Sequence, residues 1–292
     1  MKILTKLITL FVMLIYQNSI AQTIETFTVN GVEFDMVKVE HGSFQMGATP
    51  EQGSYVEKIE KPVHTVILTN DFYIGRFEVT QKLWKAVMGN DNNPSTFKGN
   101  NRHRCRLPIL KFVNDSSNYN DRKLKFMFVE NLTNINGDEL PVNNVSWNDA
   151  QEFITKLNNL TGKKFRLPTE AEWEFSARGG NKSKGYRYSG GNSITKIAWY
   201  DYNSRYHPHP VGQKNPNELG IYDMSGNISE WCEDTWNFYS DSTQTNPINK
   251  NGNFNIFRGN SWHESSDYIH ISYRYYFKPD EHYDFLGFRL AL

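Results

Sequence analysis

The chain has 292 residues, with 32 basic and 32 acidic side chains balancing to a formal net charge of zero. It is long enough to bury a substantial core as one large or two small domains, and without a basic run it lacks the electrostatic footprint of a nucleic-acid binder. Its 7 Trp, 16 Tyr and 19 Phe predict a loop-rich core defined by ring packing, in which Tyr and Trp also need partners for their polar tips.

The first 21 residues read as a signal peptide. Lys2 and Lys6 precede a short apolar run over 7–16, and Ser19 and Ala21 place small residues at −3 and −1 of a cut after Ala21. The run is short for a bilayer span, so a retained anchor is the weaker reading. The mature chain is expected to begin near Gln22 in an extracytoplasmic compartment (periplasm, cell envelope or medium) and not to be an integral membrane protein. No Cys follows the cut, which leaves a lipid no attachment point there. Only two cysteines occur, Cys105 and Cys232. That compartment permits them to pair, but two buried free thiols fit the sequence equally well.

Residues 26–47 read as strands, with Gly31 in a turn and Gly42 and Gly47 bracketing the last of them. Residues 48–61 form a charged surface loop, and 63–68 and 72–79 read as further strands. Thr80 caps a helix whose apolar face is Leu83, Trp84, Val87 and Met88, stopped by Gly89. Residues 100–139, opening on Arg102, Arg104 and Arg106, read as an insertion with a strand near 126–129. Ser146 caps a second helix, with Asp149 reaching back; Trp147, Ala150, Phe153, Ile154, Leu157 and Leu160 follow its spacing up to Gly162. Thr169 and Glu172 form a capping box for a third helix, ended by Gly179-Gly180. Beyond 185 the composition predicts short strands and long ordered loops. No clean linker or repeat interrupts 22–292, so one mature domain is the economical reading.

One turn stands out chemically. Asp223 and Glu230 lie seven residues apart with Ser225-Gly226-Asn227 between them, and Gly and Asn tolerate the positive φ that lets backbone carbonyls converge. Carboxylates and carbonyls suit a hard cation such as Ca²⁺, although the pattern is not an EF-hand, and a plain tight turn with two capping acids fits the spacing as well. His263, Glu264 and His270 offer ligand types for an open metal site, but on a strand positions 263 and 270 would face opposite ways. His207 and His209 flank a Pro in a loop and suit packing and turn formation.

Several fragments match one family in order. They are Gly42 to Gly47, Phe77-Glu78-Val79-Thr80, Pro141 to Trp147, Arg166 to Glu174, the Asp223–Trp231 turn, Arg258-Gly259-Asn260-Ser261-Trp262 and Gly287-Phe288-Arg289. From about residue 36 to 292 the chain resembles the formylglycine-generating enzyme, or sulfatase-modifying factor, family. The resemblance implies an α+β fold, a variant of the C-type-lectin fold with little regular secondary structure. It also implies structural Ca²⁺ held by the side chains of Asp223 and Glu230 and the carbonyls of Gly226 and Ile228. Oxidase members use two cysteines shortly after the Arg-Gly-Gly-Ser-Trp/Tyr segment to hold copper. Here those positions fall near Glu264 and Ile269, and no cysteine lies between Cys232 and the C-terminus, so no copper site is expected. The helical His-bearing domain on which the family's iron-dependent sulfoxide synthases rely has no room in this chain.

The expected function is therefore an exported, non-catalytic, calcium-braced scaffold that binds a protein, peptide or glycan partner, as lectin-like surfaces and envelope-machinery proteins with this domain do. Candidate groove aromatics are Trp199, Tyr200, Tyr202, Trp236, Tyr239, Trp262 and Tyr268. The alternative is a metal-dependent oxidase of altered chemistry built on His263, Glu264 and His270, acting on a protein or a small metabolite. A sulfatase-modifying oxidase proper is a third reading, set against the missing thiols.

Overall fold

A computed structural model describes residues 22–99 and 136–292. The signal segment, Cys105, the arginines at 102–106 and the strand expected near 126–129 lie outside those residues.

The fold starts at a two-residue turn. Asn30 and Gly31 both take positive φ, 47° and 78°, which joins β1 (Ile24–Val29) to β2 (Val32–Val39) with Val29 opposite Val32. Antiparallel β5 (Phe72–Gly75) completes the first sheet in the order β1-β2-β5. A second sheet pairs β3 (Gly42–Met46) with β4 (His64–Leu68) and a short β7 (Gln244–Thr245). The third runs β10-β6-β8-β9, with β6 (Ser229–Thr235), β8 (Asn255–Arg258), β9 (Arg274–Phe277) and β10 (Leu286–Phe288); β10 lies parallel to β6.

The strand expected over 72–79 stops at Gly75 because the C-terminal segment captures the backbone beyond it. Gly75 N–H donates to the Leu290 carbonyl at 2.8 Å and Val79 N–H to the Phe288 carbonyl at 2.9 Å. Tyr73 and Leu292 exchange both of their backbone bonds, at 3.0 and 2.9 Å.

The three expected helices form where their caps place them. In α1 (Gln81–Met88) the Leu83 N–H donates to the Thr80 hydroxyl at 3.2 Å. Ser146 and Asp149 make a reciprocal capping box on α2 (Trp147–Thr161), and Gly162 closes it at φ 68°. Thr169 and Glu172 cap α3 (Glu170–Ala177) in the same way, and Arg166 clamps the Glu172 carboxylate at 2.6 and 2.8 Å. Each cap contributes on the order of 1 kcal/mol. Leu160 departs from its expected place on the buried face. It is 51% exposed, because the last turn of α2 extends past the core.

Two apolar clusters form the centre. In one, α1 and α2 pack Trp84 flat on Phe153 at 5.3 Å, with Phe288 edge-on to Phe153 at 5.3 Å. The other surrounds α3, with Trp173, Phe175, Met224, Cys232 and Ile256. Strand β6 divides them. Trp231 faces the first cluster and Cys232 the second, as alternation along a strand requires.

The second cluster also buries charge. Glu174, fully buried, accepts from Gly47 N–H at 2.8 Å and Arg178 Nε at 2.9 Å, and is ion-paired to Arg258. Glu170 bonds Arg274 through Nε and Nη2, both at 2.7 Å, and Arg258 at 3.0 Å. This network ties α3 to β8, β9 and the loop after β3.

Candidate functional site

The Asp223–Trp231 turn is built as its sequence demands. Asp223, Gly226 and Asn227 take φ of 59°, 82° and 64°. Gly226 is obligatory, since a Cβ there would lie 2.3 Å from the Trp199 carbonyl oxygen. Trp231 anchors the far end, donating from Nε1 to the Val145 carbonyl at 2.9 Å. The inner wall is Glu78, whose carboxylate accepts from the Asn227 side-chain amide at 2.7 Å and from Ile228 N–H at 3.1 Å.

Glu230 is fully buried and accepts from Arg289 Nε and Nη2, both at 2.5 Å, and from Trp173 Nε1 at 2.7 Å. Asp223 accepts the Gly212 N–H at 2.7 Å. Three buried carboxylates, Glu78, Asp223 and Glu230, thus face one guanidinium. Burial raises the Asp223 pKa to about 6, with the Glu230 charge adding to it and the Gly212 hydrogen bond and Arg289 opposing. Burial, then the charges of Asp223 and Glu230, push Glu78 well above the ordinary carboxylate range.

The donor chemistry suits a hard cation. Glu230 Oε2 uses its lone pairs on Arg289 and Trp173, whereas Oε1 accepts from Arg289 alone and keeps one. That oxygen, the Asp223 carboxylate and the carbonyls of Gly226 and Ile228 are the groups that would hold Ca²⁺, offsetting the excess negative charge. Arg289 competes for Glu230 at the same time.

The segment after β8 does not bring His263, Glu264 and His270 together. It runs in turns rather than as a strand. His263 Nδ1 meets the Ser261 hydroxyl at 2.7 Å and its Nε2 meets Glu264 at 3.2 Å. His270 is fully buried elsewhere, with Nδ1 on the Asp267 carbonyl at 2.8 Å and Nε2 on Glu60 at 2.9 Å. Both of its ring nitrogens are therefore occupied. Among the described residues no group of three His, Cys, Asp or Glu side chains converges on a point where a metal could sit. An oxidase centre on this trio has no support in the geometry.

A sequence profile described as the sulfatase-modifying factor enzyme 1-like domain matches residues 21–292. The chain belongs to this family. It is 36% identical over 263 residues to a protein of Paenibacillus barcinonensis named chaperone protein LppX, covering 83% of each chain. It is 36% identical over 172 residues to the formylglycine-generating enzyme of Streptomyces coelicolor, covering 52% of each, so it matches about half the length of that relative. Treponema denticola variable protein 1 superposes with a TM-score of 0.73 at 30% identity, covering 92% of this chain and 98% of that one. The expected α+β fold of the formylglycine-generating enzyme family is thus the one adopted.

Near the positions where the resemblance would put the oxidases' cysteines, Glu264 is partly exposed. Ile269 is fully buried in an apolar cluster with Tyr188, Ile197, Ala198 and Tyr200. Among the described residues Cys232 has no disulfide partner; it lies in the second core cluster, its pKa driven well above the usual range by burial and then by the charge of Glu170. A thiol so held is inert as a nucleophile or ligand.

Most of the candidate groove aromatics are packing. Trp262 is buried edge-to-face with Phe97 at 5.6 Å, and Tyr200 is buried. Trp199 lies flat on His209 at 3.7 Å beneath the Lys214 ammonium, which is how the His207–His209 loop is used. Tyr239 donates to Glu170, and Trp236 packs tilted against Tyr276. Only Tyr202, 83% exposed, and Tyr268, 38% exposed, stand out to solvent from that set. Sequence reasoning missed Glu78 and the Glu170–Glu174–Arg258–Arg274 network. Their signal was charge inside apolar runs, as in Trp173-Glu174-Phe175 and Phe257-Arg258.

Proposed function

We propose that this chain is an exported, non-catalytic member of the family that binds a protein or peptide partner on a calcium-braced scaffold, with Tyr202 and Tyr268 on the binding face. The observation that carries this reading is the absence of any cysteine after Cys232, in the very segment where the oxidases hold copper. The similarity over 83% of a relative named as a chaperone adds to it. The test pairs an activity with a binding measurement. In the presence of copper and a cysteine-bearing sulfatase peptide, the mature chain is expected to consume no dioxygen and to form no formylglycine. A reduced, alkylated unfolded polypeptide is expected to bind saturably, and more weakly after Tyr202→Ala with Tyr268→Ala. Oxygen uptake that follows a transition metal would end the proposal.

The calcium brace is tested separately. A ligand held only by the folded state adds roughly 2.7 kcal/mol at a hundredfold excess over its Kd, which corresponds to a rise of about 5–10 °C in melting temperature. Calcium is expected to produce that rise relative to chelator, and Asp223→Ala to abolish the difference. Coincident melting curves for the unaltered protein in calcium and in chelator would remove the site.

A further inference from the structure

After β6 the chain loops out and returns toward α3, enclosing a cavity of about 280 Å³. Its walls include Asp234, His64, Glu170, Arg274, Phe238 and Tyr239. The site shares no residue with the Tyr202–Tyr268 face or the Asp223–Glu230 turn, and does not rest on the functional reading given for either.

The charges in these walls do not balance. Arg274 is answered by Glu170 through two bonds of 2.7 Å and by the carbonyls of Ile59 and Asn237. Arg258 is answered by Glu170 and Glu174. Asp234, 6% exposed, is paired with no cation among the described residues. Its two oxygens accept only backbone N–H groups, from Glu170 at 2.8 Å and Asn249 at 3.0 Å, which leaves a lone pair on each. Burial, and next the charge of Glu170, raise its pKa to about 7 against those hydrogen bonds and Arg274.

His64 contributes a second acceptor. Its Nδ1 faces the Pro62 carbonyl at 3.1 Å, and a carbonyl only accepts, so in the neutral ring Nδ1 carries the proton and Nε2 presents a lone pair. Phe238, 66% exposed, stands at the rim as an aromatic surface. A buried carboxylate with no counter-ion among the described residues, a bare imidazole nitrogen and the exposed ring of Phe238, edge-on to Trp236 at 4.8 Å, form a wall for a monocation that donates hydrogen bonds. Among the described residues no three ligating side chains converge on this cavity. The volume suits a small group and not a large ligand.

We propose that this cavity binds an organic ammonium group, either a small primary amine or the side chain of a lysine, with Asp234 as its counter-ion, His64 Nε2 as an acceptor and Phe238 as its aromatic wall.

Calorimetry on the whole mature chain tests this with n-butylammonium, with n-butanol as its uncharged isostere, and with a capped Gly-Lys-Gly peptide against its norleucine counterpart. Butylammonium is expected to bind saturably and butanol roughly tenfold or more weakly, the usual loss for a missing charged hydrogen bond. Asp234→Asn is expected to abolish binding. Because Asn replaces one acceptor of a backbone N–H with a donor, its fold is checked by circular dichroism. Phe238→Ala removes a mostly exposed ring whose aromatic contact is the edge-on one with Trp236, and is expected to weaken butylammonium several-fold while lowering the melting temperature by no more than a few degrees. Binding of the lysyl peptide as well assigns the ammonium to a partner protein; binding of the free amine alone assigns it to a small molecule. Equal affinity for butylammonium and butanol, unaltered binding by Phe238→Ala, or no saturable binding by either cation overturns the proposal.

Discussion

Glu174→Ala is expected to lower the melting temperature by roughly 10 °C. Glu174 is fully buried and accepts from Gly47, Arg178 and Arg258. The substitution removes the carboxylate shared by Arg178 and Arg258, whose remaining carboxylate partners are Glu51 and Glu170 respectively. Breaking one side of a buried pair costs about 3–5 kcal/mol, because the charge left behind stays out of water. In a protein of this size each kcal/mol shifts the melting temperature by about 2–4 °C. Glu174→Gln keeps the shape and one acceptor, and is expected to lose less. Thermal unfolding followed by far-ultraviolet circular dichroism reads both, and a shift of under 2 °C for the Ala variant would show that the network holds little of the fold.

The second large effect is expected from Gly226→Ala. The new methyl would sit 2.3 Å from the Trp199 carbonyl oxygen at a residue whose φ is 82°. Left-handed backbone costs a non-Gly residue roughly 1–2 kcal/mol, and overpacking adds about 1–3 kcal/mol. Gly220→Ala isolates the first of these, since Gly220 has a similar φ of 76° but nothing within 4 Å of its would-be Cβ. The Gly226 variant is expected to unfold at a lower urea concentration than the Gly220 variant and to lose any response to calcium, because the carbonyls of 226 and 228 are displaced. Equal urea midpoints would mean that the turn yields without consequence.

The legibility of the sequence followed locality. The helices were readable because Thr80, Ser146 and Thr169 cap them within four residues and Gly89, Gly162 and Gly179 end them nearby. The turn at 223–230 was readable for the same reason. The end of β5 was not, since it depends on backbone more than 200 residues away, where Leu290 takes the Gly75 N–H. The partners of Glu230 were hidden likewise. Arg289 lies 59 residues on and Trp173 57 residues back. His270 could not be placed from its spacing to His263, because its partner Glu60 lies 210 positions away. Burial of the aromatics was equally non-local, and composition alone does not separate Tyr202 from Tyr200.

The backbone exchange between Tyr73 and Leu292 makes the first sheet a late structure. On the ribosome, β1, β2 and β5 emerge long before the residues that complete their hydrogen bonding, so the edge of that sheet stays open until synthesis reaches position 292. Contacts of such sequence separation slow folding and lengthen the interval in which an unpaired edge meets other chains. A protein assembled in this way closes its first sheet only after nearly all of the chain has been made.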